Sequence, residues 1–205
     1  IPEYRLPKEV VRREIRKIEE LGVVFRCNTT IGQDLTVDQM FDRGFDAIFM
    51  GTGTAKPKKL QIPGGHLRGV RQAIYFLRRV SLYNEGNLDR NEVPVGNGDR
   101  VFVIGCGNTA MDAARSAVRL GAEKVTVVYH RTINDMSALR SEYDEAVSEG
   151  VEFEWQSSIV DIHDNAGDIT DVVIECNGER HEEDADVVIM AGGSPPAPPI
   201  GSPTR

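Results

Sequence analysis

The chain has 205 residues, 40% of them hydrophobic and 27% charged, a composition typical of one large or two small globular domains. Its net charge of −8 argues against nucleic acid or an anionic membrane as a partner, because both attract basic surfaces. No apolar run is long enough to span a bilayer, and the three widely separated cysteines predict no disulfide framework, metal site or iron–sulfur site. We therefore expect a cytoplasmic protein.

The first part of the chain predicts alternating helices and strands. Apolar residues at helical spacing predict an amphipathic helix over Lys8–Leu21, and a strand is predicted over Val23–Asn28. A short helix follows, which Thr36 or Asp38 can cap. The apolar run "DAIFMGTGT" (46–54) predicts a buried strand that enters a glycine turn. This order of elements favours a parallel sheet.

The central part predicts half of a doubly wound α/β fold. A Pro/Gly-rich stretch, 57–70, predicts a loop and a domain boundary, a helix is predicted over Gln72–Tyr83, and the polar stretch 84–99 predicts a surface loop. From Arg100 onward, buried strands alternate with helices in the order βαβαβ. The predicted strands are 100–105, 124–131 and 151–156, and the predicted helices are 108–120 and 141–149.

The last part predicts a different kind of sheet. Two alternating strands around "DNAGD" and a second turn at "CNGE" predict an antiparallel β-meander. The stretch "DADVVIMAGG" (184–193) then predicts a buried strand that ends in glycines. Its pattern of an acidic residue, an apolar strand and a glycine turn also occurs at 45–53.

The segment "GCGNTA" (105–110) has the G-x-G-x-x-A pattern of a dinucleotide-binding turn. Gly105 permits the tight turn, Gly107 lets the backbone approach a pyrophosphate, and Ala110 lets the helix pack closely on the strand. We expect the phosphates to meet unpaired N–H groups of Asn108, Thr109 and Ala110 at the positive end of the helix dipole. The alternative is a glycine turn that only packs closely and holds no ligand.

The end of the second strand decides which dinucleotide is expected. NAD sites carry an acidic residue there, whereas this chain has Tyr129-His130-Arg131 and no acidic residue before Asp135. Arg131 can hold a 2′-phosphate through two parallel hydrogen bonds, and His130 can add a donor, with Arg140 as a further candidate. The sequence therefore favours NADPH over NADH. The alternative is that Arg131 is an ordinary exposed arginine.

Four segments resemble the small (beta) subunit of NADPH-dependent glutamate synthase and its relatives, which include part of dihydropyrimidine dehydrogenase and ferredoxin–NADP transhydrogenase subunits. The segments are "IPEYRLPKEVVRREI", "DAIFMGTGT…PKKLQIPG", "VFVIGCGNTAMDAARSAVRLGAEKVTVVYHR" and "DMSALRSE". The resemblance extends from residue 1 to about residue 193. The glycine turn with the following "MDAAR" and strand is its specific part.

The resemblance implies an FAD domain, split in sequence, with an NADPH domain inserted in it. NADPH would deliver hydride to FAD, and electrons would pass to a large synthase-type or ferredoxin-linked subunit. The implied boundaries are 1–64 for part of the FAD domain, 65–190 for the NADPH domain, and 191–205 for the start of the return to the FAD domain and a tail. Gly51, Thr52 and Gly53 would line the FAD, and Gly192 and Gly193 would mark the return.

Departures from the family pattern lead us to expect a fragment that is inactive alone. The FAD fingerprint, the iron–sulfur segment and a C-terminal closing stretch are expected to lie in the rest of its own flavoprotein. His130 stands where the family usually has arginine, and Ser137 where it usually has proline. No catalytic acid or base is predicted. Two alternatives stay open. One is a non-catalytic nucleotide-binding or interaction module in which residues 84–99 bind a partner, and the other is an NADH-linked member of the same enzyme class.

Overall fold

The computed structural model describes residues 1–53 and 60–192, which separate into two compact units. Residues 3–53 belong to the smaller unit and residues 60–192 to the larger one. Gly193, predicted to contact a cofactor, lies outside the described residues, as does Thr54 at the end of a predicted strand.

The smaller unit contains the two predicted helices, α1 (Lys8–Glu20) and α2 (Val37–Asp42). Thr36 caps α2 through a capping box, in which its hydroxyl accepts from the N–H of Gln39 and its own N–H donates to Gln39 Oε1 at 3.0 Å. This reciprocal bonding pairs two backbone donors at the helix start, so a six-residue helix has a defined beginning.

The two strands predicted for the smaller unit, Val23–Asn28 and 46–50, are wrong. Neither segment pairs with another strand within the part of the chain that the structure describes. Their apolar side chains are exposed, with Val24 at 79% and Phe49 at 96% of full exposure. An apolar run becomes a strand only when a neighbouring strand supplies hydrogen-bond partners, which local sequence cannot reveal.

The larger unit contains a parallel five-stranded sheet and an antiparallel three-stranded sheet. Its elements are β1 (Val70–Gln72), α3 (Ala73–Asn84), β2 (Arg100–Ile104), α4 (Asn108–Arg119), β3 (Lys124–Tyr129), α5 (Arg140–Ser148), β4 (Glu152–Trp155), β5 (Ser157–Asn165), β6 (Asp168–Cys176), β7 (Glu179–Asp184) and β8 (Val187–Met190). The parallel order is β1-β8-β2-β3-β4, and the antiparallel order is β5-β6-β7. The predicted α/β fold class with a β-meander is confirmed, and β1 is an additional strand in the stretch predicted as a loop.

The parallel sheet is buried on both faces, as expected for parallel strands. Val101 and Val103 of β2 lie in a core with the helices α3, α4 and α5. Phe102 between them points to the other face, where Ile162 and Ile174 of the meander form a second core. The meander thus covers the face that a second layer of helices covers in a fully doubly wound fold.

The stretch 84–99 is not simply a surface loop, as predicted, because part of it enters the core. It contains a short 3₁₀ helix, Arg90–Glu92, and Val95 is fully buried. The Arg90 guanidinium donates to the carbonyls of Val95, at 2.7 Å, and Leu120, at 3.1 Å. These bonds tie the stretch to the end of α4, which its polar composition does not indicate.

Within residues 1–53 and 60–192, every helix falls short of the length and apolarity that crossing a bilayer requires.

Candidate functional site

The carboxyl ends of β2, β3 and β8 meet at one edge of the parallel sheet, where doubly wound folds bind ligands. A cavity of about 710 Å³ opens there. It is lined by residues that follow these strands and by the start of β5: Leu60, Ile104, Gly105, Cys106, Gly107, Thr109, Val128, Tyr129, His130, Arg131, Asp135, Ser137, Ser157, Ser158, Ile159, Ala191 and Gly192. The fold therefore brings the predicted glycine turn and the predicted basic strand end into one cavity.

Gly105 makes the turn out of β2 with φ of +117°, a conformation that side-chain-bearing residues rarely adopt. Its N–H donates to the carbonyl of Val128 at 3.1 Å. A Cβ at this position would lie 3.1 Å from the carbonyl carbon and oxygen of Ala191, just beyond β8. Glycine is thus required by the close approach of two strand ends as well as by the turn.

Gly107 is different, because its φ of −102° suits any residue. Among the described residues, only Ser137 Oγ, at 3.3 Å, lies within 4 Å of where its Cβ would be. Packing within the described chain therefore does not require glycine here. A ligand that approaches the backbone at this point would explain the residue.

The start of α4 offers fewer free donors than predicted. The N–H of Ala110 donates to the carbonyl of Gly107 at 2.9 Å, so the prediction that it is unpaired is wrong. The tight first turn of the helix causes this pairing. The N–H groups of Asn108 and Thr109, at the first two helical positions, have no acceptor within the helix. Thr109 lines the cavity, whereas Ala110 is fully buried against the sheet.

The glycine turn is held by the loop that precedes α5. The N–H groups of Ser137 and Ala138 donate to the carbonyl of Cys106 at 3.2 and 3.1 Å. The side chain of Asn108 accepts from the N–H of Leu139 at 2.9 Å. Asn108 therefore positions this loop, and its side chain does not line the cavity.

His130 and Arg131 follow β3 and line the cavity, where both are exposed. The carbonyl of Arg131 accepts from the N–H of Gln156 at 3.0 Å, and the ring of His130 packs edge-on against Tyr129 with centroids 5.0 Å apart. The hydrogen bond from Gln156 fixes the backbone at the strand end, where both residues line the cavity.

Asp135 also lines the cavity, although the sequence placed it beyond the strand end. A 3₁₀ helix, Ile133–Asp135, brings it back, and its Oδ2 accepts from the hydroxyl of Thr132 at 2.7 Å and from the Thr132 N–H at 3.2 Å. The Thr132 hydroxyl and N–H, helped by Arg131 and His130, hold the pKa of this carboxyl below its usual value. Asp135 is thus an ionised group beside the predicted phosphate-binding arginine.

Of the other predicted site residues, only Gly192 lines the cavity among the described residues. Arg140 does not line the cavity, since its Nε donates to Asp144 at 3.0 Å and its guanidinium lies 4.9 Å from the Tyr143 ring centroid. Gly192 lines the cavity beside Ala191. Gly51, Thr52 and Gly53 are exposed residues of the smaller unit, and Gly53 has φ of +65°.

One feature of the cavity, the start of β5, was not predicted. Ser157 and Ser158 enter it because Gln156, with φ of +56°, reverses the chain between β4 and β5. No glycine or proline marks this turn, so sequence patterns do not indicate it. Cys106 is buried, and burial raises the pKa of its thiol to about 11, so the thiol stays protonated and unreactive at neutral pH.

Comparison with known proteins places the chain in a family. A family model described as pyridine nucleotide-disulphide oxidoreductase matches residues 5–201. The glutamate synthase (NADPH) small chain of Escherichia coli is 32% identical over an alignment of 216 positions, gaps included, which covers 96% of this chain and 46% of that protein. The NADP(+)-dependent formate dehydrogenase subunit beta of Moorella thermoacetica is 40% identical over 157 residues, covering 74% of this chain and 20% of that protein.

Solved structures agree on the fold. The crystal structure of thioredoxin reductase from Lactococcus lactis matches with a TM-score of 0.53 at 23% identity, over 67% of this chain and 42% of that one. The chain spans between 14% and 46% of the length of the curated relatives it matches. The resemblance to the glutamate synthase small chain is confirmed, and this chain belongs to the pyridine nucleotide-disulphide oxidoreductase family.

Proposed function

We propose that this chain is the NADPH-binding part of a flavoprotein oxidoreductase that passes hydride from NADPH to FAD. The observation that carries the proposal is the cavity that joins the glycine turn at Gly105–Gly107 to Arg131 and His130. In this proposal residues 65–190 form the NADPH domain, and residues 1–64 and 191–205 belong to the FAD domain.

The residues of the cavity suit a dinucleotide. Gly107 leaves room for a pyrophosphate, and the N–H groups of Asn108 and Thr109 lie at the positive end of α4. Arg131 would hold the 2′-phosphate by two parallel hydrogen bonds, with His130 as a second donor. NADPH, when bound, supplies a hydride, and the protein would place its nicotinamide ring.

The relatives support the choice of NADPH and a larger assembly. NADPH or NADP(+) stands in the names of the glutamate synthase small chain and the formate dehydrogenase subunit beta. Both names also describe one chain among several. By analogy, this chain would pass electrons through FAD to a partner subunit of a synthase-type or ferredoxin-linked enzyme.

Replacing Arg131 with alanine is expected to weaken NADPH binding by about tenfold to a hundredfold, because a charge-assisted hydrogen-bonding pair contributes about 1.5–3 kcal/mol. NADH lacks the 2′-phosphate, so its affinity should change by less than about twofold. Calorimetric titration of the purified chain with each nucleotide measures both effects. In the native protein, the variant should also slow flavin reduction by NADPH more than by NADH.

Arg140→Ala is the matched control, because Arg140 is an exposed arginine on the same unit that is paired with Asp144 and lies outside the cavity. It should leave the affinity for both nucleotides unchanged. Equal losses of NADPH and NADH in Arg131→Ala, or tighter binding of NADH than NADPH by the unmodified chain, would contradict the assignment. An unmodified native protein whose flavin NADPH does not reduce would favour a non-catalytic module.

Replacing Asp135 with asparagine is expected to strengthen NADPH binding by about fivefold, because it removes a negative charge from beside the 2′-phosphate. The asparagine Oδ1 can still accept from Thr132, so the loop should keep its shape. NADH affinity should stay constant. Asp144→Asn removes a carboxylate of α5 that does not line the cavity, and it should have no effect. Unchanged NADPH affinity in Asp135→Asn would place the phosphate elsewhere.

A further inference from the structure

Three side chains that can bind metal meet where the two sheets of the larger unit come together. Glu154 lies on β4, the edge strand of the parallel sheet, and His181 and Glu183 lie on β7, the edge strand of the meander. His181 Nε2 is 3.6 Å from Glu154 Oε1 and 3.6 Å from Glu183 Oε1. All three ligand atoms lie within 4.8 Å of one another.

These distances are close to those of a bound metal. A tetrahedral zinc ion with ligands at 2.0–2.2 Å places neighbouring ligand atoms about 3.4 Å apart. Because His181 and Glu183 are two residues apart on one strand, their side chains share a face of β7. Only small side-chain rotations would therefore bring the three ligands to coordination distance.

Lys124 binds one carboxylate of the cluster through the oxygen that does not face His181. Its Nζ donates to Glu183 Oε2 at 2.8 Å and lies 3.4 Å from Glu152. Glu183 Oε1, on the other side of the carboxylate, faces the histidine. A second bond to a ligating carboxylate is the usual way in which surrounding residues orient a metal ligand.

The charges in the cluster also favour a cation. Two partly buried carboxylates lie together beside the exposed ring of His181, so a bound cation would reduce the repulsion between them.

We infer that Glu154, His181 and Glu183 bind one divalent transition-metal ion of the zinc type, which joins the edges of the two sheets. A mixed imidazole and carboxylate set suits Zn²⁺ better than Mg²⁺, which prefers oxygen ligands and keeps its waters. The exposed side of the histidine leaves a coordination position for water. The site is separate from the nucleotide cavity, since none of the three residues lines it.

Sequence alone does not predict this site. Glu154 and His181 are far apart in the chain, with no short spacing typical of zinc ligands. From the sequence we accordingly expected no metal site. Only the fold of the larger unit brings β4 and β7 close enough for these side chains to meet.

Calorimetric titration of the untagged chain with Zn²⁺ tests the inference. We expect one site per chain, and at least about tenfold weaker binding in His181→Asn and in Glu154→Gln, since each variant removes one ligand. Zn²⁺ should raise the thermal unfolding midpoint of the unmodified chain and of neither variant. Circular dichroism checks that each variant folds. If only one of the two variants folds, its affinity for Zn²⁺ is sufficient to test the inference.

His163→Asn is the matched control. His163 is also an exposed histidine between two carboxylates, but Asp171 faces its Nδ1 at 2.6 Å and Asp161 faces its Nε2 at 3.9 Å. The two carboxylates lie on opposite ring nitrogens, so they cannot share an ion with the histidine. Zinc binding should survive in this variant. Absence of binding at about 1 mM Zn²⁺, or equal affinity in all variants, would overturn the inference.

Discussion

Arg115→Met is expected to lower the free energy of unfolding by about 3 kcal/mol, because it leaves several carboxylates without their buried partner. The Arg115 side chain, on α4, is only 4% exposed. Its guanidinium lies 3.2 Å from Glu142, 2.6 Å from Glu145 and 2.8 Å from Glu149, all on or next to α5. Methionine keeps the length of the side chain and removes its charge, so the loss measures the ion pairs rather than packing. Urea unfolding at neutral pH gives the difference.

Arg119→Met provides the matched control. Arg119 also lies 2.7 Å from Glu149, but its side chain is 47% exposed. An exposed pair contributes little, so this variant should lose less than about 1 kcal/mol. Glu142→Gln combined with Arg115→Met should recover part of the lost stability, because it removes one of the carboxylates that Arg115 contacts. A cost of Arg115→Met no larger than that of Arg119→Met would show that the buried network is not a main source of stability.

The ion pairs of Arg115 and Arg119 also make the stability lost in Arg115→Met depend on pH. Arg119, and with it Arg115, holds the pKa of Glu149 below its usual value against partial burial. A carboxyl with a lowered pKa in the folded state stabilises the fold above its unfolded pKa and loses this effect as pH falls through the folded pKa. The difference between the unmodified chain and Arg115→Met should therefore stay constant from about pH 7 to about pH 5 and shrink as pH falls below 4.5, the usual pKa of a glutamate. A constant difference would point to packing.

The sequence predicts well those elements that local chemistry determines. The apolar runs that become β2, β3 and β8, the glycine turn before α4 and the turns of the meander all fall where their residues indicate. A strand buried on both faces needs only an apolar run, and a turn needs only residues that tolerate its dihedral angles. These features determine where neighbouring parallel strands end. From the sequence, Gly105, Gly107 and Arg131 could therefore be assigned to one edge of the sheet.

Elements that depend on distant partners could not be predicted. The three-residue strand β1 exists because β8 lies beside it, and the two apolar runs of the smaller unit are not strands because they have no described partner. Helical periodicity predicts the buried alanines of α4, but it cannot show that α5 covers Arg115 as well. Asp135 enters the cavity through a 3₁₀ helix and Ser157 through a left-handed turn at Gln156, and no glycine or proline marks either one.

Gly105→Ala is expected to lower the free energy of unfolding by about 3 kcal/mol, because it adds both backbone strain and a close contact. Its φ of +117° disfavours a side chain, and the new Cβ would lie 3.1 Å from the backbone of Ala191. The end of β8 would have to move away from β2, so NADPH binding should fall as well. Gly150→Ala separates the two causes, because Gly150 has φ of +93° and open space around it. It should cost only about 1 kcal/mol, and an equal cost for both variants would mean that the contact with Ala191 is unimportant.

Gly107→Ala should leave stability almost unchanged and mainly weaken NADPH binding, whereas Gly105→Ala should mainly lower stability. Comparing the two variants tests the role of each glycine. The φ of −102° suits alanine, and the only close atom among the described residues is Ser137 Oγ. This exposed hydroxyl donates one long hydrogen bond, at 3.3 Å, to the Cys106 carbonyl, so it can shift at little cost. Stability should therefore change by less than about 0.5 kcal/mol. The Cβ would occupy the approach of the pyrophosphate, so NADPH affinity should fall by about tenfold or more. If Gly107→Ala instead unfolds the chain and leaves nucleotide affinity per folded molecule unchanged, the glycine serves packing and the pyrophosphate does not bind at this turn.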